Sequence, residues 1–166
     1  MNSFISDLHI HSRFSMATSK QLTVPHLCGW AMVKGINVLG TGDFTHPKWR
    51  QELRDNLVFD EETGFYRPTA APEPVFPDLA SSPARPPYFC LQTEISSIYK
   101  RGGKVRKVHN LVFMPTLEDA DRFSEKLGQI GNINSDGRPI LGLDSADLLD
   151  LVLNPSPRAF FIPPHV

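Results

Sequence analysis

Two histidines near the N-terminus have the residue type and the spacing of metal ligands. His9 and His11 lie in the segment Asp7-Leu-His-Ile-His-Ser12. In an extended strand, residues i and i+2 project from the same face, so both imidazoles can reach one cation. Neutral imidazole is a common ligand of zinc and also suits iron, nickel and copper. A solvated strand face with two polar residues is the alternative, so this pair by itself leaves metal binding open.

Further acidic and histidine residues lie where predicted strands end. Asp43 follows the second predicted strand, and His46 comes three residues later. Glu94 ends an otherwise apolar strand, His109 interrupts another, and His165 follows a third. Barrel enzymes assemble their sites at the carboxyl ends of strands. A carboxylate that ends a buried strand also needs a positive partner, which a metal supplies. Capping or hydrogen-bonded polar groups are the alternative for each residue.

Strands and helices that would position these residues alternate along the chain. The predicted strands cover 4–11, 36–41, 88–95 and 159–162, and a hairpin over 96–114 turns at Arg101-Gly-Gly103. The predicted helices cover 24–34, 48–57, 117–127 and 145–153, the first capped by Thr23 and closed by Gly35. This alternation predicts an α/β fold with a largely parallel sheet. The proline-rich residues 58–87 predict a surface excursion of the same domain, which spans 1–166.

Composition limits the class of protein. The chain has 166 residues, 40% of them hydrophobic, and a net charge of −1. No apolar run reaches the ~18 residues that a membrane span needs, and the first residues lack the basic and apolar pattern of a signal peptide, so we expect none. Cys28 and Cys90 are too few for a disulfide framework, so we expect a cytoplasmic protein without a membrane partner. Because the chain stops directly after a predicted core strand, we expect it to be a portion of a longer protein.

Basic residues surround the predicted hairpin turn. Lys100, Arg101, Lys104, Arg106 and Lys107 flank the two glycines. A basic turn beside a strand that carries candidate ligands can contact the phosphates of DNA. A solvated turn is the alternative interpretation. Lys20, which follows the first histidine motif, is a further candidate for DNA binding.

The first motif with the later acidic and histidine residues resembles the polymerase-and-histidinol-phosphatase (PHP) superfamily. The resemblance implies the N-terminal portion of a distorted seven-stranded β/α barrel, incomplete at its C-terminus, with two or three divalent metals. Zinc is the first choice, with manganese, magnesium or iron as alternatives. The residues that it implies as metal ligands are His9, His11, Asp43, Glu94, His109 and His165, with His46 as a further candidate. Glu94 would bridge the first two metals, and Glu94 and Asp43 are the predicted catalytic residues.

A third metal site is expected to be altered or lost. Ala17 and Phe44 stand near positions where the superfamily has histidines, so Asp43 would serve locally, with His46 as a candidate.

Four segments narrow the resemblance to the endonuclease Q family. They are Ser12–Lys20, Gly40-Thr-Gly-Asp43 with His46-Pro-x-Trp49, Thr93–Ser96 and Gly102–Asn110. The resemblance runs from about Ser6 to Val166. It implies a DNA-repair endonuclease that nicks 5′ of uracil, hypoxanthine, xanthine or abasic sites, with damaged DNA and a replication or repair protein as partners. A small-molecule PHP phosphatase and an inactive PHP module are the alternatives, and activity of this portion alone is left open.

Overall fold

The computed structural model describes residues 3–76 and 85–165, except for the side chain of His165. Within them, eight strands and four helices form a mixed α/β fold. The strands are β1 Ser6–Asp7, β2 Val38–Gly40, β3 Leu57–Asp60, β4 Phe65–Pro68, β5 Tyr88–Arg101, β6 Lys104–Met114, β7 Ile140–Leu141 and β8 Phe160–His165. The helices are α1 Val24–Lys34, α2 Pro47–Asn56, α3 Leu117–Ile130 and α4 Ser145–Leu153. The α/β expectation is confirmed, whereas the incomplete, distorted seven-stranded β/α barrel stays a prediction.

Strand β5 organises the sheet. Its first three residues pair in parallel with β2, from Val38↔Tyr88 to Gly40↔Cys90. From Leu91 to Arg101 it pairs antiparallel with β6. The sequence predicted a strand over 88–95 and a separate hairpin, but β5 runs through both without a break. Glu94 therefore lies in the middle of a long, paired strand.

The sheet is mixed, which corrects the expectation of a largely parallel one. Among the described strands, β3–β4, β4–β5, β5–β6 and β6–β8 pair antiparallel, and three pairs are parallel. The short connections of β3–β4 and β5–β6 enforce antiparallel pairing, because parallel neighbours need a long crossover. The predicted hairpin is confirmed: Gly102 and Gly103 form its turn at φ 60° and 73°, as a type I′ turn requires.

The first part of the proline-rich segment belongs to the sheet. Strands β3 and β4 form an antiparallel hairpin, and Tyr66 of β4 pairs with Phe89 of β5. Gly64 at φ 74° closes the turn between them. These two strands were not predicted, because the high proline content of the segment outweighed the short apolar runs on either side of this turn. Residues 77–84 of the predicted excursion lie outside the described part of the chain.

Helix α1 has the bounds that its capping signals predicted. The Thr23 side chain accepts a hydrogen bond from the His26 amide, and Gly35 ends the helix at φ 68°. Its buried residues join one apolar core with α2, α3, α4 and the sheet. None of the helices described is long and apolar enough to serve as a membrane span.

Candidate metal centre

His9 and His11 lie on the loop that follows β1. The predicted strand over 4–11 is wrong here, because pairing with β2 ends at Asp7↔Leu39. This loop runs against the end of β2, where a Cβ on Gly42 would lie 2.9 Å from the Cα of His11. Gly42 also has a φ of 66°. Its glycine is therefore required both by the close approach and by the backbone conformation.

Glu94 lies between the histidines and is 1% exposed. Its Oε2 is 3.4 Å from His9 Nε2 and 3.0 Å from His11 Nε2. Its other oxygen, Oε1, contacts Nδ1 of His109. Four of the predicted ligands thus meet, and the two carboxylate oxygens face different histidines.

The charge of Glu94 is maintained by these contacts. Burial disfavours the carboxylate, but hydrogen bonds from His11, His109 and His9 outweigh it and lower the pKa of Glu94 to about 2. The fold therefore holds an ionised carboxylate in its interior. Such a group is costly without positive partners.

Asp43 lies behind His11 and is completely buried. Its Oδ1 is 3.0 Å from His11 Nδ1, and its Oδ2 accepts hydrogen bonds from the Ser12 amide at 2.6 Å, the Ser12 hydroxyl at 2.7 Å and the Ser15 hydroxyl at 2.9 Å. Nδ1–H of His11 donates to Asp43, and Nε2–H donates to Glu94 when the imidazole is protonated, so Nε2 is the nitrogen that a cation could bind after the loss of one proton. Ser12 and Ser15 were not among the predicted site residues, although Ser12 follows the His-x-His motif directly and Ser15 lies three residues further on.

His9, His11 and Glu94 fit a divalent cation. Each offers one ligand atom, and these atoms lie within 4.8 Å of one another. Two imidazole nitrogens and one carboxylate oxygen form a donor set typical of zinc. The pair of Asp43 and His11 is the arrangement that commonly orients a metal-bound imidazole and raises its basicity.

Two candidate ligands need separate description. His46 is 5% exposed, its Nε2 is 3.1 Å from the Asn134 carbonyl oxygen, and its ring stacks on Phe14. Among the described residues, the three-residue metal-binding group does not include it. The backbone of His165 pairs with that of His109, but the side chain of His165 lies outside the description. Its role as a ligand stays a prediction.

The loop over 131–139 covers this centre, which the sequence analysis did not foresee. The Gly137 amide donates to the Phe14 carbonyl at 3.0 Å. Asp136 accepts from the amides of Met16 and Arg138, and Nη1 of Arg138 lies 3.8 Å from Glu94 Oε2. The contacts to Phe14 and Met16 join segments more than a hundred residues apart, so no local sequence pattern indicates them.

A methyl group at position 137 should disrupt this packing. A Cβ there would lie 2.4 Å from Asp43 Oδ2 and 2.7 Å from Ser15 Oγ. We expect Gly137→Ala to cost about 1–3 kcal/mol, as for other overpacked sites. Urea unfolding measures this cost. Gly142→Ala is the matched control, because a Cβ there meets no atom within 4 Å. Equal unfolding free energies for the two variants would contradict the packing.

Zinc binding should become tighter as the pH rises. Hydrogen bonds to Asp43 and Glu94 raise the pKa of His11 to about 9, so near neutral pH its imidazole is protonated and a cation must displace one proton. We expect the apparent zinc affinity to rise about tenfold per pH unit between about pH 6 and 8. Calorimetry in buffers of different ionisation enthalpy would measure the released proton. An affinity that does not change with pH would refute this coupling.

The structural neighbours of the chain are endonucleases. Both are structures of endonuclease Q, so the resemblance indicated by the sequence motifs is confirmed. The lesion-specific endonuclease PfuEndoQ from Pyrococcus furiosus matches with a TM-score of 0.72 and 30% identity over 95% of this chain. Endonuclease Q in complex with a 27-mer duplex substrate, with an abasic lesion at the active site, matches with a TM-score of 0.70 and 30% identity over 94% of the chain.

The chain spans only part of its relatives. It covers 33% of each endonuclease Q chain. An uncharacterised protein of Methanocaldococcus jannaschii is 30% identical over 147 residues, which are 88% of this chain and 14% of that protein. No family model matches the chain.

Proposed function

We propose that this chain is the N-terminal portion of a metal-dependent DNA-repair endonuclease with a PHP-type barrel. The observation that carries the proposal is the convergence of His9, His11 and His109 on the buried carboxylate of Glu94. The likeness to endonuclease Q supports it, since 30% identity accompanies the shared fold. The proposed substrates are duplexes with uracil, hypoxanthine, xanthine or an abasic site, nicked on the 5′ side of the lesion.

In this proposal the side chains have different roles. His9, His11 and Glu94 would hold one cation, and Glu94 would also serve a second cation together with His109 and His165. Bound cations would lower the pKa of a water and neutralise charge on the phosphate. Asp43 holds the proton on Nδ1 of His11, which keeps the other ring nitrogen available. A damaged base must leave the stack to be recognised, so we expect a flipped nucleotide.

Cleavage of defined duplexes tests the proposal. The zinc-loaded protein is incubated with duplexes that carry one abasic site or one uracil, and with the undamaged duplex. We expect a single nick 5′ of the lesion, its loss after chelation, and its return when zinc or manganese is added. Hydrolysis of a chromogenic phosphomonoester without any nicking would instead indicate a small-molecule phosphatase. Metal content without turnover of any phosphoester would indicate an inactive module.

The basic residues of the β5–β6 hairpin lie on two faces. Directly paired residues share a face, and faces alternate along a strand. Lys107 pairs with Ile98, two residues from the Ser96↔His109 pair, so Lys107 shares the face of His109, as does Lys100. The predicted residues on the opposite face are Arg101, Lys104 and Arg106. Arg101 there forms an ion pair with Asp144 at 3.2 Å. Lys20 donates to the Arg13 carbonyl.

This division predicts unequal contributions to DNA binding. Lys100 and Lys107 share the face of Glu94, so we expect them to neutralise phosphates near the scissile bond. Replacing both by alanine should reduce the slope of log affinity against log salt by about 2, since each neutralised phosphate contributes about 0.9. The matched control replaces Lys104 and Arg106 on the opposite face and should change the slope less. A larger change in the control would reverse the proposed binding face.

A further inference from the structure

Arg138 lies on the loop over 131–139, which covers the candidate metal centre. We propose that Arg138 is a catalytic residue that binds the non-bridging oxygens of the scissile phosphate. This inference rests on the proposed function. Nη1 of Arg138 lies 3.8 Å from Oε2 of Glu94, the oxygen that also faces His9 and His11. The guanidinium is thus beside the atoms that would hold a cation.

The backbone on both sides of Arg138 is fixed. The amide of Gly137 donates to Phe14, and the carbonyl of Pro139 accepts from Ser96, each at 3.0 Å. Strand β7 begins at the next residue and pairs with β5 at Ser96. These bonds hold the loop against the strand that carries Glu94. Arg138 therefore projects from a positioned backbone, which a catalytic group needs.

The N–H donors of the Arg138 side chain are available to a ligand. A guanidinium carries five N–H donors. Within residues 3–76 and 85–165, those of Arg138 make no hydrogen bond, and the single ion-pair contact is 3.8 Å long. The side chain is 39% exposed, so an incoming group can reach it.

Two other arginines, Arg13 and Arg50, differ in this respect. Arg13 is paired with Glu52 at 2.6 Å, and Arg50 with Asp121 at 2.7 Å. Both have structural partners at normal hydrogen-bond distance. The Arg138 guanidinium lies near an oxygen of Glu94 but is too far away to donate a hydrogen bond to it. Its N–H groups are therefore available to an anionic ligand.

A guanidinium at this position could assist phosphodiester hydrolysis. A water oxygen forms a bond to phosphorus and gives up a proton to solvent, while the ester P–O bond breaks and its electron pair and a proton go to the leaving oxygen. Negative charge on the non-bridging oxygens is redistributed during this exchange. A planar guanidinium can donate two parallel N–H bonds to those oxygens, and preorganised donors of this kind are worth about 10²–10³ in rate. A lysine ammonium group cannot donate this pair of parallel hydrogen bonds.

Single-turnover cleavage by the zinc-loaded protein tests the role of Arg138. The variants are Arg138→Ala, Arg138→Lys and, as a matched control on the exposed face of α3, Arg122→Ala. The substrates are an abasic-site duplex and the small diester bis(p-nitrophenyl) phosphate, and zinc content and duplex affinity are measured in parallel. We expect Arg138→Ala to slow both reactions about 100-fold or more, with zinc content unchanged and duplex affinity changed less than the rate. Arg138→Lys should recover part of the rate, and Arg122→Ala should match the unchanged protein.

The outcomes separate the inference from the proposed function. Equal rates for the unchanged protein and Arg138→Ala on both substrates would overturn the inference and leave the endonuclease proposal standing. Loss of zinc from Arg138→Ala would also overturn it, because the residue would then support the metal centre and not the phosphate. If the unchanged protein hydrolyses neither substrate, the proposed function fails and the inference fails with it.

Discussion

Replacing Glu94 by glutamine is expected to abolish zinc binding and, with it, cleavage of damaged DNA. Glutamine preserves the size of the side chain but removes the charge that His9, His11 and His109 surround. Its amide also places an NH₂ donor where one of the two carboxylate oxygens now accepts. Loss of outer-shell partners alone costs 10–100-fold in metal affinity, so we expect the loss of a ligand to exceed about 100-fold.

The measurement for Glu94→Gln is zinc affinity by competition with a chelating dye, followed by cleavage of an abasic-site duplex. Glu125→Gln on the exposed face of α3 is the matched control, since it removes the same charge from an exposed residue outside the group of His9, His11 and Glu94. A Glu94→Gln protein that binds zinc as tightly as the control would remove Glu94 from the metal centre.

The second large effect is expected for Asp43→Asn. Asp43 has a φ of 47°, a left-handed conformation that asparagine tolerates well, so the exchange isolates the charge from the backbone. Its two oxygens serve four donors, from His11, Ser12 and Ser15. An asparagine NH₂ must face at least one of them. We expect zinc affinity to fall 10–100-fold, as for other partners of metal-binding histidines.

Ser15→Ala provides the graded comparison for Asp43. It removes one hydroxyl donor and leaves the carboxylate, so its effect should be much smaller than that of Asp43→Asn. Zinc affinity and urea unfolding of the metal-free protein are measured on both variants. If Asp43→Asn binds zinc like Ser15→Ala and is equally stable, then Asp43 does not orient His11.

Capping and turn residues in the sequence were sufficient to predict the bounds of α1 and the position of the hairpin turn. Thr23 and Gly35 predicted both ends of α1, and the two glycines after Arg101 predicted the hairpin turn. The convergence of His9, His11, Glu94 and His109 was also expected, from predicted strand ends and from the family resemblance, although Glu94 and His109 lie within the long strands β5 and β6. Such patterns depend on the backbone preferences of a few neighbouring residues.

Features that depend on long-range packing could not be predicted in this way. The alternation at 4–11 suggested a strand, but only Ser6 and Asp7 find a partner in β2. The approach of Gly137 to Asp43 depends on how two distant loops meet, as does the position of Arg138. The division of the basic hairpin residues between two faces follows from the β5–β6 register, which a count of charges does not contain.

The central claim is that His9, His11 and Glu94 together bind a divalent cation. A crystal structure of the zinc-loaded protein, with anomalous data collected on both sides of the zinc absorption edge, tests this most directly. We expect an anomalous peak in bonding contact with Nε2 of His9, Nε2 of His11 and Oε2 of Glu94. A zinc ion bound elsewhere, or no anomalous peak among these three side chains, would contradict the account.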